Sequence, residues 1–170
     1  TELGYMANIQ EEFEQRGCKI LGLSIDSVED HLSWKKDIEE VAKTKLNYPL
    51  ISDSDLKVAK AFNMLPADEV ANTNRTAITN ATVRSVFLID PEKKIRMMLT
   101  YPMTTGRNFD EILRVLDSIQ LTSKTKVATP VNWKKGDEVI IVPAISDEEA
   151  KKMFDSFKSV KPYLRFTKLK

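Results

Sequence analysis

The run Lys19-Ile20-Leu21-Gly22-Leu23-Ser24-Ile25-Asp26-Ser27 is short, apolar and closed by Asp-Ser, which reads as a buried strand passing through a turn into a capped helix. Upstream, Leu3, Met6, Ile9 and Phe13 recur at spacings of three and four, so one helical face is expected over residues 3–16 with Gly17 placed to end it. Downstream, Ser27 with Asp30 has the pattern of a capping box. The helix it opens is expected to turn Val28, Leu32 and Ile38 inward and Glu29, Lys35, Lys36 and Glu39 to water. Helix, strand and helix in that order make an α/β unit.

Working outward, Tyr48-Pro49-Leu50-Ile51 is a second short strand, and Ser52-Asp53-Ser54-Asp55 caps a helix whose buried side holds Leu56, Ala59 and Phe62. The polar stretch from Asn63 to Ala81 reads as a loop. Val83 to Ile89 and Ile95 to Tyr101 are two strands joined by Asp90-Pro91-Glu92-Lys93-Lys94, whose Asp-Pro start and charged tip predict a β-hairpin. Asn108 to Glu111 opens another helix with Phe109, Ile112, Leu113, Leu116 and Ile119 as its apolar stripe.

After Leu121 the pattern changes. Thr122 to Val131 is polar and is expected to be extended. It leads to a small module: a strand over Glu138 to Val142, a helix capped by Ser146 and a last strand around Tyr163 to Phe166. A domain of residues 1–121 followed by one of 122–170 is therefore expected.

Of 170 residues, 26 are Lys or Arg and 25 Asp or Glu, and neither sign gathers in one half, which argues against a nucleic-acid or acidic-lipid partner. The longest apolar runs, such as Val86 to Ile89, are far shorter than the ~18 residues that a membrane-spanning helix needs, so no membrane span is expected. Cys18 is the only cysteine. A disulfide framework, a CxxC pair and a cysteine-rich zinc site are thereby excluded, and a reducing, cytoplasmic compartment is expected. Two glycosylation patterns, Asn74-Arg75-Thr76 and Asn80-Ala81-Thr82, matter only in a secreted chain. No phosphate-cradling glycine loop or HExxH pair occurs, so no metal or nucleotide cofactor is implied. No cap precedes the first helix and no Met opens the chain, so the sequence is expected to start partway through a longer protein.

Several words spread over the chain resemble the single-cysteine subfamily of peroxiredoxins. They are Thr1-Glu2-Leu3-Gly4, Leu23 to Leu32 with Trp34, Tyr101-Pro102, Thr104 to Arg114, Val127 to Trp133, and Gly136-Asp137. The resemblance implies a thioredoxin-like α/β fold with a small α+β C-terminal domain that in relatives packs across a homodimer. It also implies reduction of hydrogen peroxide and organic hydroperoxides by a cysteine thiolate, through a sulfenic acid that a glutathione- or thioredoxin-type thiol then reduces. By the same match the peroxidatic cysteine falls two residues ahead of Thr1, and the 170 residues alone are expected to be inactive.

Three residues carry the implied site. Arg84 lies among apolar neighbours, where an unpaired guanidinium is costly to bury, and it matches the arginine that the family points at its sulfur. Arg107 stands beside a helix start, an unfavourable place for a cation without a carboxylate partner. Glu2 matches the glutamate that ties the two arginines together. A helix N-terminus and nearby guanidinium groups lower a thiol's pKa and so supply the thiolate. Cys18, at a helix-to-strand junction, is expected to be inert, and His31 to be a solvated helix residue. Trp34 and Trp133 are expected to anchor packing, and Glu92 to belong to the hairpin turn. The competing reading is a non-catalytic thioredoxin-fold interaction protein, against which the retention of Glu2, Arg84 and Arg107 speaks.

Overall fold

The computed structural model describes residues 1–65 and 82–169, which divide into two units, Thr1–Phe109 and Asp110–Lys170. Most of the loop expected over residues 63–81, and the two glycosylation patterns apart from Thr82, lie outside the described residues.

The first unit opens with α1 (Glu2–Asn8) and α2 (Gln10–Glu14). They replace the single helix expected over 3–16. Ile9 leaves helical geometry at φ −106°, ψ 15°. The bond from Ile9 N to Tyr5 O persists, while Glu12 N reaches back only three residues to Ile9 O, so the helix tightens at that point without ending. Gly17 closes it with φ +62°, as glycine permits.

β1 (Gly22–Ser24) pairs in parallel with β2 (Leu50–Ser52), and α3 (Val28–Ala42) crosses between them. The Ser27–Asp30 capping box is formed in both directions. The inward face of α3 differs from expectation: Val28 and Leu32 are exposed, whereas Ile38 and His31 are buried. Residues 31 and 38 are seven apart, close to two full turns of ~3.6 residues, so they share a face that Val28 and Leu32 do not. Trp34 is also largely exposed and anchors no core.

Leu50, Tyr48 and Leu46 pack with Ile38, Ile20, Leu3 and Met6, joining α1 to α3 and the parallel pair. Gly4 allows the close approach: a Cβ there would stand 2.5 Å from that of Ala42 on α3. Tyr48 Oη donates a 2.7 Å hydrogen bond to Leu3 O, and burial pushes its pKa up to about 12, with the charge of Arg107 acting the other way.

α4 (Lys57–Ala61) starts after Leu56, which takes the left-handed φ of +60° and caps nothing. Its cap is the buried Asp53, whose carboxylate accepts from Val58 N at 2.9 Å and Ala59 N at 2.6 Å. A second core joins Ile25, Ala59, Met64 and Leu65 with Phe62 and Phe87. Antiparallel β3 (Arg84–Ile89) and β4 (Ile95–Tyr101) form the expected hairpin, and Arg84 pairs with Tyr101 at its open end.

The helix α5 (Phe109–Lys124) runs through Thr122, Ser123 and Lys124, which were expected to be extended. Thr122 and Ser123 return their hydroxyls to carbonyls of the preceding turn, at Ser118, Ile119 and Gln120, so their polarity is absorbed within the helix. The second unit continues as β5 (Val127–Ala128), β6 (Val139–Ile141), α6 (Asp147–Met153), β7 (Lys158–Lys161) and β8 (Leu164–Thr167), with antiparallel sheet order β5-β6-β8-β7. Trp133 is buried with Val127 and Val139, and the Ser146–Glu149 capping box starts α6. The expected α/β class with its C-terminal α+β part holds.

Candidate active site

Glu2 sits in the first turn of α1, where a carboxylate meets the favourable end of the helix. Across 105 positions of sequence it grips the residue before Asn108. Its Oε1 accepts from the Arg107 backbone N at 2.7 Å and from Nε at 3.2 Å, while Oε2 accepts from Nη2 at 2.9 Å. This is the two-point carboxylate fork that a guanidinium suits and an ammonium cannot copy. Arg107 Nη1 donates to Ser85 O at 3.3 Å, and the guanidinium carbon lies 5.7 Å from the Phe109 ring centroid. Phe109 in turn stacks on Tyr5 of α1 at 5.8 Å.

Arg84, the first residue of β3, comes to the same carboxylate: Nη1 is 3.3 Å from Glu2 Oε1 and donates to Thr105 O at 3.3 Å. The structure thus brings together all three residues singled out from the sequence. Their side chains remain partly open, at 19% for Glu2, 21% for Arg107 and 31% for Arg84. Burial pushes the Glu2 carboxyl up, but the hydrogen bonds from the Arg107 side chain and backbone, with the charges of Arg107 and Arg84, outweigh it. Its pKa falls below the ordinary 4.5. One carboxylate therefore faces two cations, and the site carries a net positive charge.

These groups line a cleft of about 270 Å³ together with Thr1, Leu3, Leu23, Trp34, Ile38 and Leu50. Ser24 and His31 complete its wall. His31, expected in solvent, is only 7% exposed. Its Nε2 lies 2.6 Å from Ser24 Oγ, which donates to Asp26 Oδ2 at 2.8 Å. The signal that could have found it is the seven-residue step to Ile38, which sets it on the buried face of α3.

Cys18 lies apart from the residues of this cleft. It is half-buried, and burial pushes its thiol up, which withholds the thiolate. Glu92 pairs with Lys94 at 2.6 Å on the exposed hairpin tip. Among the described residues no group of three His, Cys, Asp or Glu could hold a metal, and no helix is long and apolar enough to cross a membrane.

Residues 1–98 match the model of the AhpC/TSA family, and residues 118–156 match the C-terminal domain of 1-Cys peroxiredoxin. The chain is 54% identical to a 1-Cys peroxiredoxin of Dictyostelium discoideum over 168 residues, covering 98% of this chain and 66% of that protein. It is 48% identical over 171 residues to the mitochondrial peroxiredoxin PRX1 of Saccharomyces cerevisiae, covering 100% of this chain and 65% of the relative. The chain thus spans about two thirds of the length of these two curated relatives. A solved yeast mitochondrial 1-Cys peroxiredoxin, described as resolving its thiol via glutathione/thioredoxin systems, matches with a TM-score of 0.90 at 47% identity, over 99% of this chain and 78% of its own.

Proposed function

Because the chain belongs to the AhpC/TSA family, within its 1-Cys peroxiredoxins, we propose that it forms the arginine-bearing wall of a thiol peroxidase site in the intact protein. The reactive cysteine is the one that the family resemblance puts two residues ahead of Thr1. Its thiolate attacks the terminal peroxide oxygen. The S–O bond forms, the O–O bond breaks, and the electron pair leaves with the alkoxide or hydroxide, which takes up a proton. Sulfur is oxidised to the sulfenic acid. A first external thiol condenses with it and releases water, and a second thiol reduces the mixed disulfide.

Arg84 and Arg107 stabilise the thiolate at rest and the charge that builds on the leaving oxygen. Glu2 holds both at one spacing. The observation that carries the reading is this convergence of two partly open guanidinium groups on one carboxylate, beside a cleft at the start of α1. Glutathione- or thioredoxin-type reductants fit the description of the yeast relative. Homodimer formation and a cytoplasmic location belong to the same reading.

The test is peroxide consumption by the intact protein with a thiol reductant. Arg84→Ala is expected to slow reduction by roughly 100-fold, about 2.7 kcal/mol in the barrier, with unfolding unchanged. An undiminished rate in both Arg84→Ala and Arg107→Ala would overturn the assignment.

A further inference from the structure

The cleft holds one group that the two-arginine scheme does not use. His31 is buried on the inner face of α3, and Ser24, at the end of β1, reaches it at 2.6 Å. A hydroxyl has a single proton to give. Ser24 Oγ gives its proton to Asp26 Oδ2 at 2.8 Å, so its bond to the ring is one that Oγ accepts. Nε2 is therefore the protonated nitrogen in both the neutral and the cationic ring. Proton exchange is left to Nδ1, which has no hydrogen-bond partner among the described residues. The same order of donors excludes Ser24 as a His-activated nucleophile, because its proton is committed to the carboxylate.

Resting on the peroxidase reading, we propose that His31 is the proton carrier of this cleft, with Ser24 and Asp26 as the residues that fix its tautomer. The neutral ring takes the thiol proton at Nδ1 as the sulfur becomes a thiolate. Sulfur then attacks the terminal peroxide oxygen, the S–O bond forms as the O–O bond breaks, and the alkoxide that leaves receives the same proton from Nδ1–H. Thiol and hydroperoxide become sulfenic acid and alcohol, with no proton gained or lost and the ring restored. The charged groups that share the cleft with the ring are Glu2 on α1, Arg84 on β3 and Arg107 before α5, and Asp26 reaches the ring through Ser24. Trp34 in the same cleft wall offers a fluorescence signal for the sulfur oxidation step.

The experiment measures the rate of that step in the intact protein between pH 5 and 9, for wild type, His31→Ala and Ser24→Ala. His31→Ala is expected to lose roughly 100-fold and to regain rate with added imidazole. Ser24→Ala, which keeps the ring but frees its tautomer, is expected to lose about 10-fold. If wild type is active and His31→Ala stays within about 2-fold of it, or is slow without imidazole rescue, the carrier role is overturned while the peroxidase reading stands. Should His31→Ala fail to fold, an unchanged rate in Ser24→Ala overturns it. Wild type that consumes no peroxide sinks both.

Discussion

Arg165 in the second unit and the Arg84–Arg107 pair in the first place the same chemical group in opposite circumstances. Arg165 is 2% exposed and gives Nη1 to Asp147 Oδ1 at 2.7 Å and Nη2 to the carbonyls of Ile145 and Val142 at 2.6 and 3.2 Å. It staples the loop between β6 and α6 to β8, and its Nε has no partner among the described residues. Arg84 and Arg107 bind one shared carboxylate and two carbonyls, yet keep part of their surface open to a cleft. A guanidinium whose donors are directed to its own fold is a structural clamp. Two that converge with surface to spare are available to an anion in the cleft.

Substitutions should separate the two kinds of arginine. Arg165→Ala is expected to cost about 3 kcal/mol of stability, since the Ile145 and Val142 carbonyls and the Asp147 carboxylate lose a buried donor; urea unfolding would read it. Less than about 0.5 kcal/mol, the ordinary scale of a surface change, would erase the contrast. Gly4→Val should cost roughly 2 kcal/mol through overpacking against Ala42. Because α1 carries Glu2, it should also lower peroxide turnover. A variant that unfolds earlier but turns over normally would uncouple the helix from the clamp.

The smallest effect is expected from Glu2→Gln, about 1 kcal/mol. The sign with pH follows from the lowered carboxyl pKa. The ionised form is favoured in the folded state, so its contribution is present above the ordinary 4.5 and is lost as pH falls through the lower folded value. Unfolding followed from pH 6 to 3 should show a steeper loss in wild type than in Glu2→Gln. Parallel curves would mean that the carboxylate does not hold the arginines.

The parts of the molecule read correctly from the sequence are local. The β3–β4 hairpin is written in the Asp-Pro start and charged tip of its turn, and the caps at Ser27 and Ser146 act within four residues. Glu2 and Arg107 lie 105 positions apart, a distance that no periodicity reports, and only the family words brought them together. His31 was hidden because a polar residue on a charged helix reads as solvated, while its burial depends on which turn faces β1. β7 was missed for a related reason: Lys158-Ser159-Val160-Lys161 is exposed throughout and carries no inward face to betray a strand.

The most direct test of the account is the ionisation of the reactive thiol in the intact protein, followed as the pH dependence of its alkylation in wild type and in Arg84→Ala. The account predicts a wild-type thiol ionising well below the ordinary ~8.5 and a variant moved at least about one unit back toward it. Identical ionisation curves would contradict it.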